Sequence, residues 1–170
     1  MMKPALISLA VAIASPAAQA NFSLLYEFGV PTTTQNVSIS THRIEAQIPF
    51  WRHSKYHLDL SSSVGVIEAA KNRSLTLGSG IGLNYEPFRR VQVRASGGVN
   101  YLEEHVFSVK QGQTKDFGGH LQFNYTFALR WQPTSQGFFM GYRYNHMSNG
   151  GIYEQNPALN THNLTFSWQF

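Results

Sequence analysis

From Phe117 to Trp131 the chain alternates in character at every step. The odd positions are Phe117, Gly119, Leu121, Phe123, Tyr125, Phe127, Leu129 and Trp131, while the even ones include His120, Gln122, Asn124, Thr126 and Arg130. Successive side chains of a strand point to opposite faces, so one face of this segment calls for oil and the other for hydrogen bonds. The same split recurs at Tyr56, Leu58, Leu60, Val64 and Val66 against His57, Asp59, Ser61, Ser63 and Gly65. It returns at Leu75, Leu77, Ile81, Leu83 and Tyr85 against Thr76, Gly78, Gly80, Gly82 and Asn84. A chain patterned this way throughout is all-β.

A water-soluble sandwich and a membrane barrel share that pattern, with opposite faces wet. Soluble domains carry about a quarter charged residues, whereas this chain carries 13% with 14% aromatics. Lys3, the apolar run from Ala5 to Ala14, and Ala18-Gln19-Ala20 read as a signal peptide over residues 1–20, with a barrel domain over 21–170. No apolar run reaches the eighteen or so residues of a membrane helix. Glycine is abundant on the polar face, which suits a packed lumen better than a wetted surface. The expectation is an eight-stranded antiparallel outer-membrane β-barrel whose polar interior is filled by side chains.

The strands are expected at 22–30, 38–50, 55–69, 73–85, 90–102, 117–131, 137–148 and 160–170, with short turns at 51–54, 86–89 and 132–135. The longer connections, 103–115 and 149–159, belong on the extracellular side. Inward positions supply Glu45, Asp59, Arg94, Arg130 and Arg143, which should pair with one another. Gly78, Gly80, Gly82, Gly98, Gly118 and Gly141 are expected to leave room for the arginine stems. Cysteine is absent, so neither disulfides nor thiolate metal sites arise. His42, His53, His57, His105 and His120 show no metal-ligand spacing on one face, and His57 and His120 are read as lumen residues. The net charge of +4 is spread over turns and strand faces. That argues against nucleic acid as a partner and suggests only a general attraction to anionic headgroups.

One stretch of wall breaks the apolar rule. On the seventh strand Phe138, Met140, Tyr142 and Tyr144 face lipid, and the same parity brings out His146 and Ser148. On the eighth, Leu164, Phe166 and Trp168 lead back to His162 and Asn160. A symmetric hairpin would set Ser148 opposite Asn160 and His146 opposite His162, with Asn160 diagonal to His146. Polar groups on a lipid surface are costly, so a patch of them signals function. A hydroxyl beside an imidazole is the nucleophile and base of acyl transfer, given a third group to orient the ring and donors for the oxyanion. Asn149, Gly150 and Gly151 are placed to supply such donors.

An exported barrel of this size, a His146-Met147-Ser148-Asn149-Gly150 motif shortly before a terminal aromatic, and a following Asn156-Pro157 turn together resemble the lipid A 3-O-deacylase PagL family. The resemblance is specific from Tyr142 to Phe170 and architectural elsewhere. It implies a serine esterase that hydrolyses the 3-linked acyl ester of lipid A in lipopolysaccharide, at the outer membrane of a Gram-negative cell and without cofactor or metal. It assigns the base to His146, the nucleophile to Ser148 and an oxyanion donor to Asn149. Where the best-studied form carries a glutamate to orient the histidine, this chain has Asn160, which implies slower turnover. Glu154 is a candidate accessory and His162 a residue shaping the patch. The terminal Phe170 resembles the signal read by outer-membrane assembly machinery, and a homodimer is compatible with such a barrel. The alternative reading is a non-catalytic small barrel, an adhesin or structural protein with a degenerate site.

Overall fold

The computed structural model describes residues 22–33, 37–70, 72–108 and 114–170; the expected signal peptide lies outside them. The strands are β1 (Ser23–Pro31), β2 (Ile39–His53), β3 (Tyr56–Ala69), β4 (Asn72–Phe88), β5 (Val91–Leu102), β6 (Val106–Ser108), β7 (Thr114–Asp116), β8 (Leu121–Trp131), β9 (Phe138–Ser148) and β10 (Leu159–Gln169). Eight of them close an antiparallel barrel in the order β1-β10-β9-β8-β5-β4-β3-β2, and β6 and β7 form a separate hairpin. Closure satisfies both edges, which a sheet in lipid requires. It is finished by the Phe170 amide donating to the Phe22 carbonyl at 2.9 Å and by the two rings stacking 5.0 Å apart.

The outward faces are apolar along their length, from Leu24 and Tyr26 through Ile81, Leu83, Phe127 and Leu129 to Leu164 and Trp168, all exposed. The lumen is polar and charged. Arg143 binds Glu45 and Glu27, Arg43 binds Glu27, and Arg94 binds Asp59 with Glu45 nearby. The expected charges do pair, and Glu27 and Arg43 join them. Arg130 differs: its Nη1 donates to the neutral Gln47 Oε1 at 3.1 Å, and no carboxylate pairs with it among the described residues.

Gly82 shows why glycine lines this face. A Cβ there would stand 1.6 Å from Arg94 Nη1, and that guanidinium is fully buried and tied to Asp59. Gly82→Ala is therefore expected to push Arg94 off its partner and destabilise the barrel by about 1–3 kcal/mol. Urea unfolding in detergent micelles, followed by tryptophan fluorescence, measures it.

Near the extracellular end the lumen becomes apolar. Ile39, Ile67, Ala69, Leu102, Met147 and Leu159 point inward from strand ends and pack with Phe107 and Phe117 from the connection above β5. This corrects three sequence expectations. β8 begins at Leu121 instead of Phe117, because Gly118 and Gly119 take positive φ values of 78° and 134° and turn Phe117 into the plug. Gly118 is thus a loop residue whose Cβ would strike the Gln155 carbonyl, and His120 lies exposed outside the lumen, bonded to the Leu102 carbonyl. His57 does sit at the inner rim of the lumen, 3.9 Å from Glu86.

The connection after β5 contains the β6–β7 hairpin, anchored where Asp116 accepts from His105 at 2.8 Å and from the Gly118 amide at 2.7 Å. Burial pushes the Asp116 carboxyl up, but these donors outweigh it and hold its pKa below the ordinary value. A depressed carboxylate pKa contributes stability that is complete above the unfolded-state value near 3.9 and lost as pH falls through the native one. The protection factors of the β6 and β7 amides, measured by hydrogen exchange and corrected for the intrinsic rate at each pH, are expected to fall on acidification into that window, while those of the barrel strands hold.

Candidate active site

The phase of β9 and β10 at their extracellular ends is set from inside. Met147 and Leu159 are buried in the apolar plug and lie opposite each other. With these side chains drawn inward, the period-two geometry sends His146, Ser148 and Asn160 to the outer wall. Asn160 lies directly opposite His146, and His162 opposite Tyr144. This corrects the symmetric-hairpin expectation by one same-face step. Ser148 lies past the last β9–β10 pair and is held from the other side, opposite Phe123 of β8.

The shift improves the geometry. His146 Nε2 is 3.1 Å from Ser148 Oγ, and His146 Nδ1 is 2.7 Å from Asn160 Oδ1. An amide oxygen only accepts, so Nδ1 carries the ring proton, and Nε2 is left as the acceptor for the serine hydroxyl. Two aromatic residues that sequence reasoning missed complete the arrangement. The Tyr144 hydroxyl donates to the same Asn160 Oδ1 at 3.0 Å, occupying its second lone pair and fixing the amide. Tyr125, opposite His146 on β8, stacks on the imidazole with centroids 5.2 Å apart and planes 6° from parallel. Their alternation is visible in the sequence, but only the register shows which ring each one meets.

The expected oxyanion donors divide. Asn149 is fully buried. Its Nδ2 donates to the Gly118 and Gln155 carbonyls, its Oδ1 accepts from the Gly151 amide at 2.8 Å, and its own amide donates to Asn156 Oδ1 at 3.0 Å. Asn149 therefore clamps the loop, and both its donors and the Gly151 amide are engaged. The Gly150 N–H has no acceptor among the described residues, and neither has Asn160 Nδ2. Gly150 and Gly151 take φ values of 65° and 83°, a left-handed pair that turns the chain sharply after Ser148 and that glycine adopts without strain.

Glu154 is exposed in the same loop and makes no contact with His146 among the described residues. His162 faces outward and its Nδ1 pairs with the Tyr142 hydroxyl. Ser148 is 6% exposed and His146 half-buried, so little of the serine is open to its surroundings. Such a row of hydroxyl, imidazole and amide can transfer a proton from the serine as it attacks an acyl carbon.

The chain matches the family described as Lipid A 3-O-deacylase (PagL) over residues 35–169. Comparison with curated protein sequences gives no match. Among solved structures, the crystal structure of the outer membrane enzyme PagL is 16% identical, with a TM-score of 0.62 over 87% of this chain and 99% of that one. The crystal structure of Neisserial surface protein A is 10% identical, with a TM-score of 0.59 over 88% and 97%. A de novo designed transmembrane β-barrel is 11% identical, with a TM-score of 0.58 over 89% and 96%. At these identities the structural likenesses speak for the fold, an outer-membrane barrel. The family match spans most of the sequence, both strands of the polar patch included, and on that ground the chain belongs to the lipid A 3-O-deacylase (PagL) family.

Proposed function

We propose that this protein hydrolyses the acyl ester at position 3 of lipid A from the lipid-facing wall of its barrel, with Ser148 as nucleophile and His146 as base. The observation that carries the reading is the unbroken hydrogen-bonded row from Ser148 Oγ through His146 to Asn160 Oδ1 on the outer surface. A hydrophobic wall has no structural need for it. Lipid A stands in the outer leaflet with its chains alongside such a wall, so the ester meets the serine without the lipid being extracted.

Ser148 Oγ attacks the ester carbonyl as its proton passes to His146 Nε2. The imidazolium is held by Asn160 and covered by Tyr125. The oxyanion is met by the Gly150 amide, which in low-dielectric surroundings is worth far more than in water. Collapse expels the sugar hydroxyl, which takes the proton from Nε2 and leaves an acyl-serine. Water, deprotonated by the same nitrogen, then releases the free fatty acid and restores Ser148. Asn149 serves as the loop clamp that presents Gly150. Mass spectrometry of lipid A from cells expressing the protein tests the reading: a species lighter by the 3-linked acyl chain is expected, and an unchanged spectrum would refute it.

A further inference from the structure

The short-turn rim of the barrel is electrically lopsided. The turns joining β2 to β3 and β4 to β5 lie side by side, because β3 and β4 pair. They are tied by the Glu86 amide donating to the Lys55 carbonyl at 2.9 Å, by Lys55 Nζ donating to the Pro87 carbonyl at 3.1 Å, and by stacked Tyr56 and Tyr85 rings 4.8 Å apart. This one sector carries Arg52, Lys55, Arg89 and Arg90, all exposed; Arg52 lies opposite His57 and lines the mouth of the lumen, whereas Lys55, Arg89 and Arg90 sit in the turns themselves. Its single carboxylate, Glu86, faces His57, and none of the three arginines pairs with an acidic group among the described residues. The next turn, residues 132–137, bears no charge at all.

Aromatic groups fix the depth of this sector. Trp51 and Tyr56 are 46% and 44% exposed, and Phe88, directly before Arg89 and Arg90, is 73% exposed. Aromatic side chains in a barrel collect at the membrane–water boundary, so the guanidinium groups beside them lie at the level of phospholipid headgroups. The guanidinium fork matches two phosphate oxygens at once. A zwitterionic headgroup brings its own cation into a cluster of like charge, whereas a net-anionic one does not.

We propose that Arg89 and Arg90, with Lys55, form a binding site for anionic phospholipid headgroups of the inner leaflet, the bound lipid's chains lying against the β3–β5 wall. The proposal is independent of hydrolysis, so Ser148→Ala protein serves equally well for testing it. Native mass spectrometry of the folded protein, released from micelles containing equal amounts of phosphatidylglycerol and phosphatidylcholine of identical chains, reads the preference directly. Wild type is expected to retain phosphatidylglycerol. The double variant Arg89→Gln, Arg90→Gln is expected to lose about tenfold or more of that preference, since each cation near a membrane surface contributes on the order of 1 kcal/mol. Arg73→Gln, at the opposite rim, is expected to leave it intact. Heat-modifiable gel mobility confirms that each variant is folded. Equal retention of the two lipids by wild type would overturn the proposal and leave the patch to an acidic protein surface. So would a folded double variant with the wild-type preference.

Discussion

Replacing Ser148 with alanine is expected to abolish removal of the 3-linked acyl chain while leaving the barrel closed. Among the described residues the Ser148 side chain contacts one polar group, His146 Nε2, and its strand is held by backbone pairing to β8 and β10 and by Met147 in the plug. Nothing structural depends on the hydroxyl. The reaction loses its nucleophile entirely, and a fall of about a thousandfold or more follows from what such losses do in hydrogen-bonded serine–histidine units. His146→Ala should match it, and the double variant should be no worse than either, because the two groups act as one device. Lipid A spectra of the three variants, each verified as folded by gel mobility, measure this. Deacylation by Ser148→Ala at the wild-type level would end the serine mechanism.

The barrel was legible because lipid and a packed lumen impose opposite demands on adjacent residues, and alternation records both. Strand ends were read within a few residues, and so was the outward parity of His146, Ser148 and Asn160. Register was another matter. It depends on how the ten residues between Ser148 and Leu159 fold, and that loop does not close symmetrically. Asn149 is drawn into it as a buried clamp and Met147 is pinned opposite Leu159. Phe117 misled for a related reason: its alternation continues unbroken from β8, and only the positive φ of Gly118 and Gly119 reverses its direction. Glu27 escaped notice because it is the one charge of β1, and Arg43 because its partner lies on that neighbouring strand; the register of β1 against β2 sets the two directly opposite.

Asn160→Ala is the second large loss to expect. Asn160 Oδ1 takes the His146 Nδ1 proton at 2.7 Å and the Tyr144 hydroxyl at 3.0 Å, so its removal frees the ring to turn and to carry its proton on the wrong nitrogen. Loss of tautomer control costs a serine–histidine pair about a hundredfold or more in kcat. The loss should fall on kcat, with KM little changed, because Asn160 acts through the imidazole. Asn160→Asp separates the possibilities. It is nearly isosteric, keeps an acceptor for both donors, and adds a negative charge beside an imidazole that must become positive in the transition state. Nδ1–H and the Tyr144 hydroxyl offset part of the cost of placing that charge on a lipid-facing wall. If orientation and charge stabilisation are what position 160 contributes, the aspartate variant should turn over several-fold faster than wild type, in the direction of the glutamate that the family resemblance places there. A folded Asn160→Asp protein as inactive as Asn160→Ala would instead show that the reaction uses the amide Nδ2, the one donor on this side chain that the protein leaves free.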